Sequence, residues 1–254
     1  MLFDTHTHLN DQAFQEDREE VLQRALDEGV SLLVNVGYNR TTIPQTLELA
    51  EKYDFVYAAV GWHPHDAKDM TDEDLAWIEE LADHPKVVAI GEMGLDYYWD
   101  NSPREVQKEV FRKQIALAKR VKKPIIIHDR DAHRDVVDIL REEGASEVGG
   151  VMHCFGGSLD IARECLDLNF YISFGGPLTF KNAKKPKEVA SQIPLDRLLI
   201  ETDSPYLTPH PFRGKRNESS YVKYVAESMA ELRGLSYEEL CRITMENGKR
   251  LFRI

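Results

Sequence analysis

Leu2-Phe3-Asp4-Thr5-His6-Thr7-His8 is a short run that opens on two apolar residues and closes on two imidazoles, and further runs along the chain also end on polar ligand types. In an extended strand, residues two apart point to the same side, so His6 and His8 share a face and Asp4 lies one step below them. Further runs rich in Val, Ile and Phe occupy residues 31–37, 56–62, 87–92, 124–128, 149–153, 170–174 and 198–203. Several of these also end on a residue type that binds hard or borderline divalent metals: Glu92, His128, His153 and Asp203. Only the first pair is close in sequence, so a fold that gathers strand ends is needed to unite the set.

Between the runs, apolar residues recur three and four apart, as in Val21, Leu22, Ala25 and Leu26, or Leu75, Ile78 and Leu81. That spacing predicts amphipathic helices. Thr71 before Asp74, Ser102 before Pro103 and Glu105, and Ser236 before Glu239 read as helix starts, each a hydroxyl followed three residues on by a carboxylate. Near-continuous apolar strands alternating with such helices imply a parallel sheet covered on its outer face. Eight units predict a (β/α)8 barrel with its site at the C-terminal ends of the strands. No G-x-G-x-x-G follows the first strand, which disfavours an open dinucleotide-binding sheet. Residues 207–217 read as a long loop after the eighth strand. No low-complexity linker divides the chain, and barrels of about 250 residues form one domain, so residues 1–254 are read as a single domain.

Of the 254 residues, 42% are apolar, enough for a large core. The three cysteines, Cys154, Cys165 and Cys241, lack metal-pair spacing, which points to reduced thiols and excludes a zinc ribbon. The opening residues show no basic segment leading into a long apolar one, and nowhere do about 18 apolar residues run consecutively. Neither secretion nor membrane insertion is expected, and a cytoplasmic location is. A net charge of -12 argues against a surface built throughout as a nucleic-acid clamp. It leaves room for a phosphate-ester substrate, because bound cations reverse the local sign. The basic stretches 181–187 and 213–216 either supplement such cations or are ordinary solvated loops.

At the barrel mouth, His6 and His8 can bind one ion together. Glu92 shares a face with Val88 and Ile90, where a carboxylate without a cation is costly. Its two oxygens suit it to bridge two ions, and the alternative is a salt bridge to Arg130 or Arg213. Asp203 and Glu201 face the same way: the outer Asp203 is the better ligand or general base, and the deeper Glu201 orients a ligand or ties strands together. Cys154 is expected to alternate away from His153 and pack under a helix. Of His63 and His65, which follow the third strand, His63 is assigned substrate contact or packing. His84 falls at the opposite end of the barrel, His133 at a helix start and His210 in a solvated loop.

With these residues assembled, the chain resembles the TatD family of metal-dependent deoxyribonucleases within the amidohydrolase-like barrels. The resemblance spans nearly the whole length. It rests on Phe3-Asp-Thr-His-Thr-His-Leu9, Gly61-Trp-His-Pro64, Gly91-Glu-Met-Gly-Leu-Asp-Tyr-Tyr98, Pro124-Ile-Ile-Ile-His-Asp-Arg-Asp-Ala132, Met152-His-Cys-Phe-Gly-Gly157 and Glu201-Thr-Asp-Ser-Pro-Tyr-Leu-Thr-Pro209. It implies two divalent ions (Mg, Mn or Zn) held by His6, His8, Glu92, His128, His153 and Asp203, with Glu92 bridging. This chain departs from the pattern at Ser219, where relatives commonly carry proline.

The implied activity is hydrolysis of DNA phosphodiester bonds, with Asp203 accepting a proton from water. Arg130 and Arg213 are candidates for holding phosphate oxygens, and Tyr97 and Tyr98 for stacking a terminal base. A recessed site in an acidic protein favours strand ends or single strands, hence an exonuclease, and a monomer is expected. Two alternatives use the same ligands: a barrel hydrolase of small amides, lactones or phosphoesters, and a non-catalytic interaction protein stabilised by metal.

Overall fold

Each apolar run becomes a strand buried on both faces, as Val- and Ile-rich parallel strands require. The computed structural model describes residues 1–254. Its elements are β1 (Leu2–Thr7), α1 (Arg18–Asp27), β2 (Val30–Gly37), α2 (Thr42–Lys52), β3 (Val56–Val60), α3 (Asp72–Leu81), β4 (Val87–Asp96), α4 (Arg104–Val121) and β5 (Ile125–Arg130). They continue with α5 (His133–Glu142), β6 (Gly150–Met152), α6 (Leu159–Asp167), β7 (Phe170–Phe174), α7 (Lys184–Gln192), β8 (Leu198–Ile200), α8 (Val222–Arg233) and α9 (Tyr237–Phe252).

The strands pair in chain order, all parallel, from β1 to β8. The barrel closes between its ends through few bonds: Thr5 Oγ1 to the Ile200 carbonyl (2.9 Å), the Asp203 amide to the His6 carbonyl (2.9 Å) and the His8 amide to the Ser204 carbonyl (2.8 Å). These seam bonds bring the last residues of the first run and the loop after β8 together at the barrel mouth.

One core fills the barrel interior, with Phe3, Val34, Val36, Ile126, Val151 and Leu199 among its members, and a larger one lies between sheet and helices. Phe252 of α9 packs against Phe3, with ring centroids 5.9 Å apart, and so closes the end opposite the mouth. Gly248 permits this approach, since a Cβ there would sit 2.5 Å from the Phe3 ring. No helix is long and apolar enough to cross a membrane.

Strand lengths differ from expectation in a way that matters for the site. β4 extends four residues past Glu92 because it keeps pairing with β5 up to Asp96 and Arg130. β6 and β8 stop early, and Cys154 (φ 42°) and Asp203 (φ 55°) turn the chain just beyond them. The Thr71–Asp74 capping box and the Ser236 cap on the Glu239 amide form as expected. Ser102 does not cap α4. Its hydroxyl donates to the His65 carbonyl (2.8 Å) and accepts from the Lys68 amide (3.1 Å), tying the loop after β4 to the loop after β3. Buried Ser219, the position that departs from the family pattern, reaches the Thr7 hydroxyl at 3.3 Å and so anchors the long loop to β1.

Candidate metal centre

The mouth of the barrel holds a cavity of about 920 Å³ whose wall includes His8, His63, Glu92, His128, His153 and Asp203. β1 projects His6, and His8 follows just beyond the strand. Their Nε2 atoms lie 3.2 Å apart. His6 Nε2 is 3.4 Å from Glu92 Oε2 and 3.7 Å from Asp203 Oδ1, while His8 Nε2 is 3.7 and 3.4 Å from the same two oxygens. Donor atoms bound at about 2.0–2.2 Å in a tetrahedron are separated by about 3.3–3.6 Å, and these five separations, from 3.2 to 3.7 Å, lie close to that spacing.

The other carboxylate oxygen of Glu92 faces a different set. Oε1 lies 2.7 Å from His128 Nδ1, 3.0 Å from His153 Nε2 and 3.6 Å from His63 Nε2. One carboxylate therefore touches both donor groups, one oxygen to each. No salt bridge links Glu92 to Arg130 or Arg213; imidazoles surround it instead.

Behind the imidazoles stand groups that fix their orientation. His8 Nδ1 meets the Val36 carbonyl at 3.1 Å, His153 Nδ1 meets Glu201 at 3.0 Å, and His128 Nε2 meets Asp96 at 3.0 Å. Glu201, fully buried, also accepts from the Cys154 amide (2.7 Å), which is the orienting and strand-tying task read from its sequence position. Asp96 accepts from His65 as well, at 2.9 Å. The expected sharing of one face by Val88, Ile90 and Glu92 does not hold: the register of β4 slips against both of its neighbours, so Val88 and Ala89 face the barrel interior while Ile90 packs with Met93 and Leu95 between sheet and helices, and Glu92 and Asp96 both reach the mouth with Gly94 between them. Only glycine fits there: φ is 145°, and a Cβ would fall 1.9 Å from the His128 carbonyl oxygen.

The electrostatics call for positive charge in the cluster. Burial pushes Glu92 and Asp203 up, yet the surrounding imidazoles outweigh it and hold both below the ordinary carboxylate range. Burial likewise opposes charge on His8, His128 and His153, but their carboxylate partners win and raise all three, His128 to about 9. His6 stays below its usual value through burial and the neighbouring His153, and its Nδ1 has no hydrogen-bond partner. His63 drops to about 4, chiefly by burial and then by the charge of His128. Mixed imidazole and carboxylate donors and an excess of anionic pull both fit divalent cations.

The remaining residues separate into those at the cavity and those away from it. His63 is brought into the cluster itself, 4.5 Å from the His128 ring. Arg130 lines the cavity, with its guanidinium 4.1 Å over the Tyr98 ring. Arg213 does not reach the cavity and lies exposed, 4.0 Å over Phe180. Tyr97 is turned inward, donating to Asp135 at 2.6 Å, whereas Tyr98 is 57% exposed. Cys154 lines the cavity and does not pack under a helix, because its positive φ breaks the strand alternation. His133 starts α5 and bonds Asp129 (2.7 Å), His84 meets Glu51 away from the mouth, and His210 is exposed. Sequence reasoning passed over Trp99, which lines the cavity beside Arg130.

A parallel eight-stranded barrel that gathers imidazoles around shared carboxylates at its mouth defines an amidohydrolase-like, metal-dependent hydrolase. Residues 3–253 match the family described as TatD related DNase, and the chain belongs to that family. It is 68% identical over its full length, and that of the relative, to the uncharacterized metal-dependent hydrolase YabD of Bacillus subtilis (strain 168). It is 36% identical, again over 100% of both chains, to the 3'-5' ssDNA/RNA exonuclease TatD of Edwardsiella piscicida. Among solved structures, the TatD homologue YJJV of Escherichia coli K12 superposes with a TM-score of 0.94 at 33% identity, covering 100% of this chain and 98% of the other.

Proposed function

We propose that this protein hydrolyses phosphodiester bonds at the ends of single-stranded DNA. The observation that carries the reading is the division of Glu92 between two donor groups at an open cavity, the arrangement of a bridged pair of ions used for hydrolysis. The 36% identity to an exonuclease of single-stranded DNA and RNA supports nucleic acid as the substrate. In this reading His6, His8, Asp203 and Glu92 would hold one ion, and Glu92, His128 and His153 would hold the second. Such ions would supply acidified water and positive charge for the phosphoryl oxygens.

The chain's own side chains supply the rest. Asp203 is ionised at neutral pH, with its side chain 13% exposed, and accepts the proton of the attacking water. Asp96 and Glu201 hold the imidazoles of His128 and His153 in one orientation. Neutral His63, beside Glu92, contacts the leaving side, and Arg130 offers a planar set of donors to phosphate oxygens at the rim. Arg213 meets phosphates further along the strand. A recessed cavity admits a strand end and excludes the stacked interior of a duplex.

The test is metal reconstitution with Mg, Mn and Zn, assayed on end-labelled linear single strands, duplexes and circular single strands. Linear single strands should be shortened from one end while circles persist, and Asp203→Asn should abolish turnover without unfolding the protein. Equal cutting of circles overturns the exonuclease reading. The cavity volume also suits a small ester, amide or lactone. Turnover of such compounds with none on DNA replaces the first reading with that one, and unchanged activity in Asp203→Asn removes the catalytic role of the carboxylate.

A further inference from the structure

Six large apolar side chains are strongly exposed, and four of them, Tyr98, Trp99, Tyr206 and Leu207, belong to the loops that follow β4 and β8 at the barrel mouth. On the β4 side the exposure is organised. Trp99 is 56% exposed and Tyr98 57%, with rings 5.0 Å apart and nearly perpendicular. The guanidinium of Arg130, at the end of β5, lies over Tyr98 at 4.1 Å and 5.8 Å from the Trp99 ring. Trp99 and Arg130 line the cavity and Tyr98 does not, so Tyr98 supports the guanidinium from outside. Arg130 makes no ion pair; stacking alone holds it, and its donors stay free.

This surface is registered to the cluster by a single carboxylate. Asp96 Oδ1 accepts the backbone amides of Tyr98 (3.1 Å) and Trp99 (2.9 Å), while Oδ2 accepts from His65 (2.9 Å) and His128 (3.0 Å). The loop that presents the aromatics therefore cannot move without disturbing His128. Solvent-exposed rings at a fixed distance from a reactive centre are costly to leave bare, and they match the face of an unpaired base.

We infer that Trp99 and Arg130, with Tyr98 behind, form a base-stacking subsite that selects an unstacked nucleotide at the end of a single strand; the inference rests on the proposed hydrolysis of DNA. The indole supplies the stacking face, and the guanidinium meets the adjoining phosphate. A base inside a duplex has both faces covered and cannot use the indole, so the subsite adds a preference for single strands to the steric exclusion of duplex by the recessed cavity.

The experiment compares wild-type protein, Trp99→Ala and Trp99→Phe on a linear single-stranded oligodeoxynucleotide and on the same strand with abasic analogues at its terminal positions. Trp99→Ala should lower kcat/KM on the base-bearing strand about tenfold more than on the abasic one, mainly through KM, and Trp99→Phe should restore most of it. Binding gives a readout without turnover: in EDTA-treated protein, oligothymidylate should quench the tryptophan emission, and Trp99→Phe should remove that quench, because Trp62 is only 4% exposed and Trp77 is packed against the core. Equal losses on both strands, or an unaltered quench in Trp99→Phe, overturn the subsite. If the wild-type protein degrades neither strand, it is the proposed hydrolysis of DNA that fails, a distinct result.

Discussion

Asp4 lies one step below the histidine pair, and its side chain is fully buried. Oδ2 accepts from the Thr202 hydroxyl at 2.6 Å and Oδ1 from the Thr202 amide at 2.9 Å, so it secures the seam where the barrel closes. Burial raises its pKa to about 7, against the opposing hydrogen bonds from Thr202 and Ser219. The folded value exceeds the ordinary 3.8, so the folded chain binds this proton more tightly than the unfolded one. The resulting stabilisation is complete below pH 3.8 and is lost as pH rises through 7. Asp4→Asn cannot titrate. In EDTA-treated protein its stability should therefore fall less than that of the wild type between pH 5 and pH 8, by an amount on the order of a few kcal/mol in urea unfolding. Parallel curves for the two proteins would show that Asp4 keeps an ordinary pKa in the fold.

At the scale of elements, β4 carries the most chemistry, with Glu92 between the two donor groups and Asp96 behind His128. Asp96→Asn keeps the size and one carbonyl acceptor but loses the charge that His65 and His128 share. Replacing such an orienting partner typically weakens metal affinity about 10–100-fold. The variant should lose metal to a competing chelator correspondingly faster while its far-UV circular dichroism is unchanged; wild-type retention would leave Asp96 with only its loop-holding task. Glu92 was legible because it closes an apolar run, although register slips in β4 put Val88 and Ile90 on opposite sides of the sheet. Asp96 was not, since Gly94 reads as a strand end when the pairing with β5 is unknown. The same contrast separates two helix starts: Thr71 and Asp74 cap each other within four residues, whereas Ser102 finds its partners across space on His65 and Lys68.

For the whole molecule, alternation along the chain sufficed to read the barrel and its mouth, because each strand end is a local pattern and the topology adds them up. Packing between loops from different strands is not local, and so Trp99 against Arg130, or Cys154 turned into the cavity, is fixed only once the chain has folded. Charge shows a similar division. Most cations on the helices are taken by neighbours: Arg24 by Glu218, Arg112 by Glu142 and Glu143, Arg134 and Arg141 by Glu164. Lys181, Lys184, Lys185, Arg213 and Lys215 are exposed without such partners, on the segments that follow β7 and β8. In a protein of net charge -12 this is where a trailing strand would be tolerated. Each phosphate met by a cation adds about 0.7 to the salt dependence of single-strand binding. Raising KCl from about 50 to about 200 mM should thus raise KM for a long single strand more than for a dinucleotide. Lys184→Gln with Lys185→Gln should lower the slope of log KM against log salt by about 0.7 for each lysine that touches the backbone. A slope identical to wild type would make these lysines ordinary solvated surface and leave the cavity rim as the sole contact with the strand.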